Sequence, residues 1–366
     1  MPLRTASLLA LAAQAVGYDP IPSFEINLDA PPRTRWQGVA KYYRHWFMKH
    51  YDLTSVDIPN DPWSKQQYSE FMKTVKFPSE IAEEIEGFVE ALNHPNASVE
   101  VFTKRQVLYE MGLTQGFACS GIIASKANGR VVHGRNLDLG VQYKFAERVT
   151  FEAVFMRGGK QIARGPTFLG NVGMHTGLHV PSGWSIEQNT RVENFTNWTK
   201  EVAASNWVAK TIQAAKAGGK MTLLETRRLL TTHDNFVDAL DAFTNTKWLA
   251  PQYFILAGGG EYQGAVVSVG RAMPDGSHFY DLNLMSKATG RWLIVQTNDD
   301  HWLKPLDGRR VHARKVMAIQ RKNAGGINAD NIFFTLRSIP LCNAGTLFTW
   351  VCDLETNEEQ FDMGKC

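Results

Sequence analysis

Cys119, Arg135 and Asp138 are the residues of this chain whose types and spacing could carry chemistry. They bound two strand-like runs, Cys119-Ser-Gly-Ile-Ile-Ala-Ser125 and Arg130-Val-Val-His-Gly-Arg135, joined across Asn128-Gly129. That dipeptide marks a tight hairpin. Folding the runs together returns Arg135 and Asp138 to the neighbourhood of Cys119. A guanidinium beside a thiol favours thiolate, the form that attacks carbon, and a carboxylate can orient a protonated amine. The pattern lacks a base, because no His–Asp pairing surrounds Cys119. Cutting the Ala118–Cys119 bond would supply one: the freed α-amine has a pKa of about 7.7–8.0 before its surroundings act on it, so it can take the thiol proton. Taken singly, each residue has a bland reading. A lone cysteine is more often an inert core residue, and Arg135 and Asp138, three apart, could be a surface ion pair worth about 0–1 kcal/mol.

The elements that must position these residues change texture near residue 117. Before it the pattern is helical: in 78–92, Ile81, Ile85, Phe88, Val89 and Leu92 form one apolar stripe with acids opposite, and Ser79 behind Pro78 starts the helix. Residues 99–111 read the same way. After it the period is that of strands. A second hairpin joins 149–156 to 161–163 across Arg157-Gly-Gly-Lys160, helices follow over 200–216 and 221–231, and strands resume at 253–256, 265–269, 278–280 and 291–296. Strand runs separated by paired helices predict an α+β fold with a layered helix–sheet–sheet–helix core.

Composition narrows the function. The chain has 366 residues with 39 basic against 36 acidic side chains and no long run of one sign, which argues against a nucleic-acid partner. The start, Met1-Pro-Leu-Arg-Thr5 followed by a short apolar stretch with small residues at Ala13 and Ala15, fits a secretory leader cleaved near Ala15; a buried first helix is the alternative. Sequons at Asn96, Asn194 and Asn197 agree with export. Three of the four cysteines, Cys342, Cys352 and Cys366, cluster at the end, and an oxidising compartment would pair two of them without sequence saying which.

Other patterns carry less. Ala257-Gly-Gly-Gly-Glu-Tyr-Gln-Gly264 is followed by a strand rather than a helix, so it reads as a hairpin turn and not a phosphate cradle. His175 and His179 have helical spacing but no glutamate after the first, and a glycine between them, which argues against zinc. The aromatic, basic stretch 41–49 reads as a packed helix, with a lipid interface as the minority alternative.

Cys119, Arg135 and Asp138 within His133-Gly-Arg-Asn-Leu-Asp138 resemble the N-terminal-nucleophile cysteine amidohydrolases. More narrowly, the chain resembles the acid ceramidase and N-acylethanolamine-hydrolysing acid amidase family over nearly its full length. The resemblance is carried by Ile26-Asn-Leu-Asp-Ala-Pro-Pro-Arg-Thr-Arg-Trp36, Gly170-Asn-Val-Gly-Met-His-Thr-Gly177, Leu249-Ala-Pro-Gln-Tyr-Phe-Ile-Leu256, and Thr297-Asn-Asp-Asp-His-Trp302 followed by Arg309-Arg310. It implies a four-layer αββα hydrolase core after a helical segment: leader over 1–15, helical subunit over 16–118, catalytic subunit over 119–366. Cys119 would be the nucleophile, Asp138 would hold the α-amine and Arg135 would orient the thiol and contact the amide. The Asn298 amide would donate to the oxyanion, and Arg309 would stand at the back of the site. Trp302 is expected in the core.

The resemblance further implies self-cleavage between Ala118 and Cys119, no cofactor or metal, and an N-acyl lipid amide substrate, ceramide ahead of N-acylethanolamine. The partners it implies are the protein's own two cleavage products, a saposin-type activator and a transient membrane contact. The address it implies is the lysosome, reached by the secretory pathway, with secretion also open. The chain departs from the family at one position: where the family has a glutamate before an arginine, it has Thr190, in Asn189-Thr190-Arg191. Glu187, three residues earlier, could substitute after a local shift but is not counted among the expected site residues. A non-catalytic lipid-binding homologue is the rival reading.

Overall fold

A computed structural model describes residues 21–54, 64–107, 109–111, 119–139, 141–191, 205–305, 307–323, 326–363 and 366. The leader, Ala118, Asn194 and Asn197 lie outside the described residues. Strand β1 (Ser23–Asn27) opens the chain, followed by helices α1 (Pro32–Arg35), α2 (Gln37–Thr54), α3 (Lys65–Thr74), α4 (Ser79–Leu92) and α5 (Val99–Gln106). Strands β2 (Ser120–Ser125) and β3 (Val131–Asp138) form the first predicted hairpin, and β4 (Thr150–Arg157) and β5 (Lys160–Phe168) the second. Next come β6 (Thr176–His179), β7 (Trp184–Thr190), α6 (Ser205–Lys216), α7 (Thr222–Thr232) and α8 (Phe236–Asn245). The chain ends with β8 (Gln252–Gly258), β9 (Gly264–Ala272), β10 (His278–Leu284), β11 (Leu293–Gln296), α9 (Gly308–Asn323), α10 (Ala329–Leu336), β12 (Thr346–Asp353) and β13 (Glu358–Asp362).

Two sheets face each other. One has eight strands in the order β1-β4-β5-β6-β7-β8-β9-β10, the other five in the order β11-β2-β3-β12-β13. Helices α6, α7 and α8 cover the outer face of the first, and α9 and α10 that of the second. The expected helix–sheet–sheet–helix layering is therefore present. The glycine-rich stretch is the β8–β9 turn, and His175 and His179 belong to β6 and the residue before it, not to a helix.

Strand periodicity sorts the side chains of the five-stranded sheet. Ile122, Ala124 and Val132 point outward into a cluster with Ala313, Met317, Ile332 and Leu336 of α9 and α10. The alternate positions, Cys119, Ile123 and Leu137, face the other sheet. Cys119 and Arg135 therefore share the inter-sheet face.

The segment ahead of Cys119 is not purely helical, as expected from sequence. Residues 23–27 form β1, which pairs in parallel with β4 from Glu152 to Met156. Period-2 alternation over five residues is too short a signal to separate from loop. Nor are all the acids of α4 on its solvent side. Glu84 is fully buried and accepts from Arg227 Nη2 of α7 at 2.7 Å, Trp36 Nε1 at 2.8 Å and Arg35 Nη1 at 2.9 Å. Helix α2 packs its buried Val39, Ala40, Tyr43 and Phe47, and Tyr43 Oη donates to the carbonyl of Thr150. Among the described residues no helix is long and apolar enough to cross a membrane.

Candidate active site

Cys119 stands at the mouth of β2, buried, and its register against β3 sets it opposite Leu137. The main-chain N–H of Asp138 donates to its sulfur. Burial pushes the Cys119 thiol up, Arg135 pulls it down, and the Asp138 and Glu187 carboxylates add to the rise. The net effect holds Cys119 as thiol.

Asp138 is buried beside it. Oδ2 accepts from Asn343 Nδ2 at 3.0 Å and lies 4.0 Å from Arg309 Nη1, while Oδ1 has no hydrogen-bond partner among the described residues. Burial pushes its carboxyl up to about 6, against the pull of Thr346, Arg309, Asn343 and Arg135. An orphaned buried carboxylate oxygen is costly unless something charged arrives to meet it.

Arg135 crosses the gap between the sheets. Nη1 donates to Thr176 Oγ1 at 2.7 Å and to the carbonyl of His175 at 3.0 Å, and Nη2 reaches Asn189 Oδ1 at 3.5 Å. Burial first, and the Arg135 charge second, keep His175 well below its ordinary range, so its ring is neutral. Tyr109, from the segment ahead of Cys119, is buried here as well. Burial and the neighbouring Cys119 push its phenol up.

Arg309 meets the main chain of Cys119. Nη1 donates to the carbonyl of Cys119 at 2.9 Å and to Ser120 Oγ at 3.3 Å, and Nη2 donates to Asn298 Oδ1 at 3.2 Å. Asp307 anchors the same guanidinium at 2.6 Å. Asn298 is therefore fixed at both ends, since its Nδ2 donates to the carbonyl of Thr190 at 2.9 Å. That uses one of its two amide protons in this state.

The neighbours of Asn298 form the scaffold. Asp299 accepts from Arg310 at 2.6 Å, and Asp300 takes Arg191 through two bonds at 2.7 and 3.0 Å and Tyr253 Oη at 2.8 Å. Trp302, expected in the core, is 46% exposed. It lies beside Phe279 with Arg191 over both rings. The loop carrying it turns outward after Asp300, which a motif reading does not reveal.

All five expected catalytic residues converge. The structure also brings in Glu187, which the sequence offers as a substitute after a local shift but which is not counted among the expected site residues because the family position is occupied by Thr190. Thr190 contributes only its carbonyl, to Asn298, while the Glu187 carboxylate lies 3.4 Å from Arg135 Nε and 3.7 Å from His133 Nε2. A signal was present in the sequence. Ser185, Glu187 and Asn189 alternate along β7 and place three polar groups on one buried face, which packing alone does not call for. Cys342 bonds to Cys366, leaving Cys352 and Cys119 as free buried thiols. Asn96 is exposed in the turn between α4 and α5.

Comparison with known proteins bears out the resemblance. A family model described as the beta subunit of N-acylethanolamine-hydrolyzing acid amidase matches residues 19–52, on the amino-terminal side of Cys119. Acid ceramidase of Macaca fascicularis is 28% identical, over 95% of this chain and 87% of its own length. N-acylethanolamine-hydrolyzing acid amidase of Rattus norvegicus is 27% identical, over 93% and 87%. The solved structure of the Caenorhabditis elegans ortholog of that amidase superposes with a TM-score of 0.55 at 25% identity, over 65% of this chain and 93% of that one.

Proposed function

We propose that this chain is a cysteine amidohydrolase of N-acyl lipids that matures by cutting itself between Ala118 and Cys119. The observation that carries the reading is the environment of Asp138: a buried carboxylate with an unpartnered Oδ1, hydrogen-bonded through its own main chain to the Cys119 sulfur. An α-ammonium formed at Cys119 would meet that oxygen.

In maturation the Cys119 thiol attacks the Ala118 carbonyl carbon, the peptide nitrogen takes a proton and leaves, and a thioester joins Ala118 to the sulfur. Water hydrolyses it, giving a carboxylate at Ala118 and a free thiol and α-amine at Cys119. In turnover the α-amine accepts the thiol proton, and the thiolate adds to the substrate amide carbonyl. Arg135 orients the group under attack, and Asn298 donates its amide proton to the oxyanion, a type of contact whose loss costs about 10²–10³ in rate. The α-ammonium protonates the leaving amine, water then takes the acyl group off sulfur, and a fatty acid departs.

Residues 16–118 and 119–366 are the two resulting pieces. Their association is supported by the β1–β4 pairing and by Glu84 with Arg227. The Thr297–Asn298 and 249–256 segments favour ceramide as substrate, with N-acylethanolamine second. Exposed Phe279 on β10, with Trp302 and Leu303 on the loop beyond Asn298, supports a transient lipid contact, in which a saposin-type activator could assist. The leader-like start, exposed Asn96 and the Cys342–Cys366 bond support a secretory route to the lysosome.

Intact mass of the purified chain before and after incubation at acidic pH, beside Cys119→Ala, tests the reading. A fragment beginning at Cys119, absent in the variant, with release of fatty acid from ceramide or N-acylethanolamine, is the expected result. An uncut chain that hydrolyses neither lipid overturns it in favour of a lipid-binding homologue.

A further inference from the structure

We propose that Glu187 is a positioning residue for this reaction: from the opposite sheet it holds the Arg135 guanidinium against Cys119. The inference deepens the amidase reading and rests on it.

The two buried guanidinium groups of the site have separate counter-charges. Arg309 has Asp307 at 2.6 Å and Asp138 at 4.0 Å. Arg135 spends Nη1 and Nη2 on neutral acceptors, Thr176, the His175 carbonyl and Asn189, and its Nε edge faces Glu187 Oε2 at 3.4 Å. Glu187 is fully buried, and among the described residues neither of its oxygens has a hydrogen-bond partner. A buried unpaired carboxylate is kept only against a charge, and Arg135 is the cation it faces.

The fold leaves room for this carboxylate. A Cβ built on Gly121 would lie 1.5 Å from Glu187 Oε1, so the strand that carries the nucleophile needs glycine two residues after Cys119 for Glu187 to enter. The arrangement is local to β7: Glu187 and Asn189 approach Arg135 from the same face, whereas Thr190 offers only its carbonyl, to Asn298.

The role has a consequence for pH. The ionisable groups facing Glu187 are Cys119, just ahead of β2, and His133 and Arg135 on β3. Burial raises the Glu187 carboxyl against the opposing pull of His133 and Arg135. The ionised form, which grips Arg135, is lost as pH falls through that raised value. Part of the acid limb of turnover then belongs to Glu187.

The test is kcat and KM of the matured protein on a fluorogenic fatty-acyl amide across acidic and neutral pH, for wild type, Glu187→Gln and Glu187→Asp. Glu187→Gln is expected to lose about tenfold in kcat, with KM changed by less than about twofold and an acid limb shallower by one proton. Glu187→Asp keeps the charge and should recover most of the rate and the slope. A Gln variant with wild-type kcat and slope overturns the proposal. If Gln does not fold, Asp carries the test through its pH profile: an acid limb that keeps its slope but moves its midpoint with the shortened carboxylate, at unchanged KM, supports the role, and an acid limb that coincides with that of wild type overturns it. A wild type that hydrolyses no amide would sink the amidase reading instead, so the two failures are separable.

Discussion

Arg309 Nη1 donates to the carbonyl of Cys119 at 2.9 Å across 190 positions of sequence. The same guanidinium donates to Asn298 Oδ1 at 3.2 Å, so one side chain from the start of α9 sets the distance between the Cys119 backbone and the Asn298 side chain. Lysine is a point charge on a flexible stem and cannot span both acceptors while also bonding Asp307. Arg309→Lys should therefore slow both self-cleavage and lipid hydrolysis by about 10²-fold while shifting the melting temperature little. Mass spectrometry of maturation beside a calorimetric scan checks this, and a variant that matures at the wild-type rate would count against the assignment.

Asp138 predicts an opposition between stability and activity. Its carboxyl is raised to about 6 by burial, above the value of about 3.9 in an unfolded chain. Between those values the folded state holds more protons than the unfolded one. This group therefore favours the uncut fold below about pH 3.9 and costs stability as pH rises towards 6. Asp138→Asn removes that cost, so the uncut variant should unfold at higher denaturant than wild type at pH 7 and lose the difference near pH 4. It should also be inactive, lacking an anchor for the α-ammonium. Denaturant titrations at the two pH values decide it.

Glu84 ties the segment ahead of Cys119 to the segment after it. Removing one partner of a buried ion pair costs about 3–5 kcal/mol because the other charge stays buried. Glu84→Gln should therefore destabilise the chain by about that amount and let the two pieces separate on gel filtration once the chain is cut. Burial would raise the Glu84 carboxyl, but Arg227 with the bonds from Arg35 and Trp36 holds it below its ordinary value. Its contribution is present above the unfolded value of about 4.3 and is lost only as pH falls through the lower folded one. The clamp should hold at pH 5.

The Cys342–Cys366 bond closes a loop with a sequence separation of 24. Loop-closure entropy of that size is worth about 3 kcal/mol. The residue after Cys342 is Asn343, which donates to Asp138 Oδ2 at 3.0 Å. Cys342→Ser should lower the melting temperature and also slow maturation, because Asn343 loses its fixed position. Equal maturation rates at a temperature well below both melting points would show that the bond only stabilises.

The convergence of Cys119, Arg135 and Asp138 was legible because the hairpin is local. An Asn-Gly turn and period-2 alternation fix which side chains share a face, and thirteen-stranded topology is not needed to see it. The layered α+β architecture was legible for a similar reason, since strand and helix periods alternate along the chain. The first strand was not: β1 is five residues long and takes its pairing from β4, more than a hundred positions on. Trp302 was misplaced because an aromatic side chain in a motif reads as core, and only the outward turn of its loop exposes it.

By itself, the sequence determined which residue types stand at Cys119 and in the hairpin that follows it, where the fold changes from helix to strand, and the likeness of its motifs to the family of lipid amidases. Tertiary structure decided the rest through contacts no local rule contains. It paired Cys342 with Cys366 rather than Cys352, whose buried place on β12 removes it from reach. It set Arg309 on the Cys119 carbonyl and the Asn298 side chain, and it placed the Glu187 carboxylate, rather than the Thr190 side chain, beside Arg135. The reason is the same in each case: burial and charge balance depend on what the opposite sheet presents, and that is set by register between strands distant in the chain.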